Sequence, residues 1–262
     1  MNILVCVKQV PGTNQVEVDP ETGVLKRDNV ESKLNPYDLF ALEMAFQLAA
    51  ETDGAVKTLS MGPPQARAAL EETLWMGASE GVLLSDRKFG GADVVATAAA
   101  LELGARQMMP FDVIFCGKQT TDGDTAQVGP ELAERLGIEY AANVAEIVKV
   151  EDGALTVVVD LDDAKQTLRI KTPCLLTVEK DANVPRLPSY KRKKAMTEDQ
   201  IRVLSCADLP DADESKLGLK GSLTRVEKIF PPEKNELNER ISGTPQDAAS
   251  RLYALLRGRK LV

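Results

Sequence analysis

Residues 117–131, GKQTTDGDTAQVGPE, set glycines, threonine hydroxyls and acids between an apolar strand-like run, Phe111–Cys116, and a helix-like run, Thr125–Leu136. Glycine lets backbone N–H groups turn toward a ligand, and a helix N-terminus adds partial positive charge. The chemistry that follows is a cradle for nucleotide phosphates at a strand-to-helix turn. An ordinary surface loop with good capping residues stays open as the alternative on this stretch alone. Asp86–Asp93, reading DRKFGGAD, repeats the design: Gly90 and Gly91 beside an acid, directly before a helix. The two glycines could admit a second phosphate or ribose, and Asp93 could cap the helix or hold a ribose hydroxyl. On spacing alone, the structural N-cap is the better reading of Asp93. Neither stretch matches GxGxxG or GxxxxGK[ST], so spacing does not identify the nucleotide. Asp122 and Asp124 are weak evidence for Mg²⁺, and no metal is expected.

Composition narrows the classes. The chain has 262 residues, 44% hydrophobic and 27% charged, which fits one large α/β domain or one domain with an extension. A net charge of −8 argues against a nucleic-acid partner. The opening MNILVCVKQVP lacks a secretory pattern, and no run reaches the length of a membrane span, so a cytoplasmic protein is expected. Cys6, Cys116, Cys174 and Cys206 show no CxxC pairing, and three of them sit in or at the end of apolar runs, where they read as reduced core thiols. Histidine is absent, which excludes Ser-His-Asp and Cys-His devices. Any reactive group then belongs to a bound cofactor.

The elements that must position these loops follow in order. Ile3–Val7 reads as a buried parallel strand leaving into residues 8–12. Val16–Val18 and Val24-Leu25, around the turn 19–23, read as a hairpin. Asn35 reads as an N-cap with Pro36 at the first helical position, before an apolar face of Leu39, Leu42, Ala45 and Phe46. Val56–Ser60 is a strand ending at 61–64. A helix through Leu70 and Leu74 stops at Gly77, Val82–Ser85 is a strand, and Val94–Gln107 is a helix. Trp75 and Phe46 read as core residues. This alternation predicts a parallel sheet with helices on both faces, whose loops 8–12, 61–64, 86–93 and 117–124 converge at the strands' carboxyl edge. Ala145–Val150, Ala154–Val159 and Gln166–Ile170 alternate as antiparallel strands, with Asp162-Asp163 in a turn, and Pro173–Val178 is one more apolar strand. From Asp181 periodicity is lost. The basic run Lys191–Lys194 reads as a solvated or protein-docking face. Ile201–Leu204 reads as a short strand and Ala248–Leu256 as a terminal helix, on a tail ordered mainly by another subunit, or else disordered.

Taken together, these residues resemble the β subunits of electron transfer flavoproteins nearly end to end. The resemblance rests on VCVKQVPGT (5–13), LNPYDLFALE (34–43), SMGPPQA (60–66), GKQTTDGDTAQVGPE (117–131) and PRLPSYKRKK (185–194). It implies a Rossmann-like three-layer α/β/α fold of the adenine nucleotide alpha hydrolase-like kind, with a small antiparallel addition and a C-terminal arm. Residues 1–184 would form the nucleotide- and flavin-binding domain. Residues 185–262 would hold the partner-recognition loop and the arm packing on an α subunit. It implies that Cys6, Val7, Lys8, Asn35, Met61 and Gly62 wrap an adenine nucleotide together with the 117–129 loop. That loop contributes Gly117, Lys118, Gln119, Thr120, Thr121, Asp122, Gly123, Asp124, Thr125, Gln127, Val128 and Gly129.

In the simpler branch the β subunit holds structural AMP; in the bifurcating branch it holds its own FAD, over which NAD(H) docks. DRKFGGADVVAT at 86–97 resembles the bifurcating pattern FGGADT, with Val94 where that pattern has Thr. Gly90, Gly91, Asp93 and Thr97 are thereby NAD(H)- and flavin-side candidates, and Lys118 is a candidate for favouring anionic flavin forms. Electrons from NADH would divide between ferredoxin or flavodoxin and the α-subunit FAD. Pro188, Tyr190, Lys191 and Arg192 match the loop that meets the partner dehydrogenase. That partner is an acyl-CoA dehydrogenase or a lactate dehydrogenase.

Overall fold

A computed structural model describes residues 1–12, 32–161, 163–227 and 240–262. The hairpin expected at 16–25 and the turn residue Asp162 lie outside them. The chain divides into a large unit ending at Glu227 and a small unit that includes the C-terminus.

The large unit runs β1 (Asn2–Cys6), β2 (Gln9–Pro11), β3 (Ser32–Leu34), α1 (Pro36–Thr52), β4 (Ala55–Met61), α2 (Arg67–Met76), β5 (Glu80–Leu84), α3 (Val94–Arg106), β6 (Val113–Gly117) and α4 (Val128–Leu136). It continues with β7 (Glu139–Glu151), β8 (Ala154–Asp160), β9 (Lys165–Lys171), β10 (Cys174–Val178), α5 (Tyr190–Ala195), β11 (Ile201–Leu204) and α6 (Gly218–Gly221). A nine-stranded sheet has the order β11-β5-β4-β1-β6-β10-β7-β8-β9, and β2 pairs with β3 in a separate ribbon. Pairing is parallel from β11 through to β7, and antiparallel among β7, β8 and β9.

The continuous apolar runs arise because both sheet faces are covered. In β1, Ile3 and Val5 join α1 and α2 in one core, while Leu4 and Cys6 join α3 and α4 in the other. Phe115 and Ile114 of β6 divide in the same way. The chain steps from β1 outward through β4 to β5, then crosses to β6 on the opposite side of β1. Strand order therefore reverses at β1 and β6, which sets the crevice of an open α/β sheet at their carboxyl ends.

Several expectations change. The antiparallel strands extend the main sheet: β7 pairs with β10 near its start and with β8 further on, and Asn143 in a left-handed conformation marks the irregular pairing between. Part of 185–227 packs within the large unit. β11 forms the sheet edge beside β5, and Ile201, Cys206, Leu209 and Leu217 are buried. Trp75 is half-buried rather than core; its indole N–H donates to the Met196 sulfur at 3.3 Å and Lys193 lies 4.3 Å over its ring. Phe46 is buried as expected, and the four cysteines are buried and free.

Described by itself, the C-terminal unit carries α7 (Pro245–Gly258), with Thr244 as N-cap accepting from the Asp247 amide. Leu252 and Tyr253 of that helix are exposed. No helix among the described residues is long and apolar enough to cross a membrane.

Candidate functional site

The crevice floor is built where β1 and β6 end. Cys6 and Cys116 are register partners there, and both are buried. The hydrogen bond with Cys6, followed by burial, pushes the Cys116 thiol well above its ordinary range, so it stays protonated. Val7 donates its amide to the Leu59 carbonyl at 2.9 Å, which ties β1's exit to β4. Met61 and Gly62 end β4, and the Gly62 amide donates to the Leu84 carbonyl at 3.0 Å. Gln9 Nε2 donates to the Gln65 carbonyl at 3.1 Å, so the loops after β1 and β4 meet.

Asn35 departs from the sequence reading. Its side chain makes no cap bond to α1. Instead Nδ2 donates to Asp38 Oδ1 at 2.8 Å and to the Gln119 carbonyl at 2.9 Å, while the Thr121 amide donates to Oδ1 at 3.2 Å. Asp38 is the site residue that sequence reasoning missed. It is 4% exposed, and its Oδ2 accepts from the Lys8 amide at 2.7 Å. Burial pushes the Asp38 carboxyl up to about 7, against the opposing hydrogen bonds from Asn35, Lys8 and Gly117. The only sequence signal for it was an acid three residues after a cap-like Asn, a spacing that says nothing of burial.

The rim is the 117–129 loop. Gly117 has to be glycine, because a Cβ there would stand 2.4 Å from Asp38 Oδ1 and 2.7 Å from the Tyr37 carbonyl carbon. Lys118 Nζ pairs with Glu179 at 2.8 Å, so its charge is offset inside the chain. Lys8 Nζ reaches Asp122 at 2.8 Å, closing β1's exit against the loop. Burial would raise the Asp122 carboxyl, but Lys8 outweighs it and holds it below the usual range. Within the loop, the Gly123 amide donates to Thr120 Oγ1 at 3.3 Å, the Asp124 amide donates to the Thr120 carbonyl at 3.0 Å, and Gln119 Nε2 donates to the Asp124 carboxylate.

The helix expected from Thr125 starts three residues later, at Val128. Asp124 and Ala126 both take left-handed φ values of 56°, which no helix start tolerates. Residues 121–127 are exposed, and Gln127, at the N-cap of α4, supplies no side-chain cap. The first N–H groups of α4 therefore face the crevice without a capping side chain. Gly129 is buried; a Cβ there would stand 2.6 Å from Thr177 Cγ2, so this glycine lets α4 lie close on β10.

The 86–97 stretch ends β5 and opens α3, which lies beside α4, with Glu102 and Arg135 3.7 Å apart between them. Asp93 is an N-cap: its Oδ1 accepts the Ala96 amide at 3.1 Å. Its Oδ2 accepts the amides of Leu223 and Thr224 at 2.8 and 3.0 Å and the Thr224 hydroxyl at 3.1 Å. These bonds outweigh burial and hold the Asp93 carboxyl below its ordinary value. The Gly90 carbonyl accepts the Leu219 amide at 2.9 Å, and Gly91, with φ of 72°, faces the Leu219 side chain. A strap over 217–224 thus lies on this loop, which sequence periodicity did not reveal. Thr97 is half-buried on the first turn of α3, and its amide donates to the Asp93 carbonyl at 2.9 Å. The structure brings 6–9, 35–38, 61–65 and 117–124 together, and it places 86–97 on the neighbouring helix start, under the strap.

Pro188 and Tyr190 flank Ser189, the N-cap of α5, whose hydroxyl accepts the Arg192 amide. Tyr190 is 71% exposed, with Lys194 4.9 Å over its ring, and Lys191 and Arg192 are exposed beside it. Upstream, Arg186 anchors the segment through two guanidinium bonds to Glu43, at 2.7 and 3.0 Å.

Residues 22–208 match the family described as electron transfer flavoprotein domain. The electron transfer flavoprotein subunit beta of Thermoanaerobacterium thermosaccharolyticum is 44% identical over 263 residues, covering 100% of both chains. Subunit CarD of the caffeyl-CoA reductase-Etf complex of Acetobacterium woodii is 40% identical over 264 residues, again covering 100% of both. Protein FixA of Azorhizobium caulinodans is 40% identical over 238 residues, 88% of this chain and 85% of that one.

Proposed function

The chain belongs to the electron transfer flavoprotein family, among its β subunits, and on that premise we propose that it is the NADH-side subunit of a bifurcating complex. In this reading it pairs with an α subunit and holds FAD in the 117–129 cradle. Electrons from NADH divide between ferredoxin or flavodoxin and the α-subunit FAD, which serves an acyl-CoA or lactate dehydrogenase. The observation that carries the reading is the cradle itself. It is an exposed loop with two strained non-glycine residues, set on a buried polar floor at the reversal of strand order, and it feeds an uncapped helix start. Strain of this kind persists where the surrounding structure enforces it, and it clusters at ligand sites.

The residues present fit an adenine dinucleotide. The uncapped α4 N-terminus suits the pyrophosphate, and the exposed Thr121 and Thr125 hydroxyls suit sugar or phosphate oxygens. Bound flavin supplies two-electron acceptance and one-electron donation. The chain's part is to bind and orient, with positive field from backbone amides rather than from Lys118, whose charge Glu179 offsets. No histidine is needed for that work. The 40% identity to a chain of a caffeyl-CoA reductase-Etf complex, together with the Gly90-Gly91 turn, supports the bifurcating branch.

One observation favours a second reading, in which the same cradle holds structural AMP. Gly90, Gly91 and Asp93 are already engaged by Leu219, Ser222, Leu223 and Thr224, so their polar groups are spent within the chain. Anaerobic titration of the α–β complex with NADH separates the two. Bleaching of the β-side flavin, with reduction of added ferredoxin or flavodoxin, supports bifurcation. A spectrum indifferent to NADH sinks it.

A further inference from the structure

Asp38 and Asn35 stand in series between the crevice floor and the nucleotide loop. Asp38 Oδ2 takes the Lys8 amide at 2.7 Å and Oδ1 takes Asn35 Nδ2 at 2.8 Å, so both oxygens serve as acceptors. The Asn35 amide is turned one way only. Its Nδ2 faces two acceptors, Asp38 Oδ1 and the Gln119 carbonyl, and its Oδ1 faces a donor, the Thr121 amide. Rotating that amide by half a turn would set N–H against N–H and oxygen against oxygen. The loop is gripped at 119 and 121, just before the strained residues Asp124 and Ala126. The Lys8 carbonyl also accepts the Asn35 amide at 2.9 Å, which closes the ring on β1's exit.

We infer that Asp38 is a positioning residue: its carboxylate fixes the orientation of the Asn35 side chain, and Asn35 holds the 119–121 backbone in the shape that receives the adenine nucleotide. The link to nucleotide rests on the function proposed above; the link to loop geometry does not. Ionised Asp38 offers strong acceptors to all its donors, whereas a proton on either oxygen weakens that oxygen as an acceptor and loosens the clamp. The charged and titratable groups facing Asp38 are Lys8 on β1's exit, Asp122 paired to that Lys8, and the Cys6 and Cys116 thiols at the strand ends. The Lys118–Glu179 pair lies beyond Gly117. Of these, burial brings Asp38 to the neutral range, while Lys8 holds Asp122 low and the Cys116 thiol is pushed up.

Hydrogen exchange on the full chain, without ligand, at several pH values tests the inference in wild type, Asp38→Asn and Asn35→Ala. The Thr121 amide should exchange about tenfold faster in both variants, the equivalent of one lost hydrogen bond. After correction for intrinsic rates, wild-type protection at Thr121 should fall as pH drops through 7, and Asp38→Asn should show no such step. A Thr121 amide equally protected in wild type and Asp38→Asn, or a pH step retained in that variant, overturns the inference. Calorimetric titration with AMP and with FAD forms the second arm. Weaker binding in Asp38→Asn than in wild type, with the same pH step lost, supports the role in nucleotide reception, and equal binding overturns that role. A wild-type chain that binds neither nucleotide defeats the proposed function, while the exchange arm still decides the clamp.

Discussion

Removing the ionisable group at Asp38 should change how stability depends on pH, and the size of the change follows from its burial. The folded carboxyl titrates at about 7 and the unfolded one at 3.8, because burial penalises the charged form more than its hydrogen bonds favour it. Between those values the folded state holds a proton that the unfolded chain has released. Stability therefore falls as pH rises through the window, and it is constant above it. A span of about 3 pH units at about 1.36 kcal/mol each gives roughly 4 kcal/mol in total, of which about two-thirds falls between pH 5 and 8.

Other groups leave that window nearly clean. The chain has no histidine. Glu43, Asp86, Asp93, Asp122 and Glu151 are held low, so the stability they contribute is lost only as pH falls through the acid range. Burial raises Glu72, which overlaps the window but is common to both proteins and cancels in the difference. Urea unfolding of wild type and Asp38→Asn at pH 5, 6, 7 and 8 measures it. Wild type should lose roughly 2–3 kcal/mol more than the variant across that range. Parallel curves would refute the reasoning, because they would mean that Asp38 is not a buried acid.

Gly117→Ala sets a methyl group against Asp38 Oδ1 and the Tyr37 backbone, which cannot swing away. Thermal unfolding should show a loss of about 1–3 kcal/mol, and nucleotide retention should fall with it. Asp93→Ala removes the α3 cap and the acceptor for residues 223 and 224. It should cost about 1 kcal/mol and speed exchange of the Leu223 and Thr224 amides, and unchanged protection there would show that the strap is held by other contacts.

Arg186→Ala leaves Glu43, a carboxylate 8% exposed, with the Arg186 backbone amide but no guanidinium, and it uncovers the Phe46 ring. A half-exposed arginine is screened by solvent, so the expected loss in urea unfolding is about 1–3 kcal/mol rather than the full cost of a buried pair.

The alternation of strands and helices was legible because both sheet faces are buried, which leaves apolar runs at β1, β5 and β6 and, broken only by Thr177, at β10. The convergence of the loops at 8–12, 61–64 and 117–124 followed from parallel topology alone. What stayed hidden was side-chain direction. Asn35 carries the residue type and position of an N-cap, yet its amide turns to Gln119 and Thr121 because Asp38 claims it. The start of α4 was misplaced because Thr125 looks like a helix residue, while Asp124 and Ala126 hold left-handed backbone that no propensity foretells. The 205–224 segment lacks periodicity because it docks through backbone groups to Asp86, Gly90 and Asp93 and through irregularly spaced apolar anchors at Cys206, Leu209 and Leu217. Trp75 was read as core; it serves instead as a half-buried platform under Lys193.

The cradle at residues 117–129 is proposed to hold a flavin. Quantitative extraction of nucleotides from the purified α–β complex tests it most directly. Two FAD per heterodimer are predicted, with one of them lost on Gly117→Ala. One FAD together with one AMP per wild-type heterodimer would contradict it.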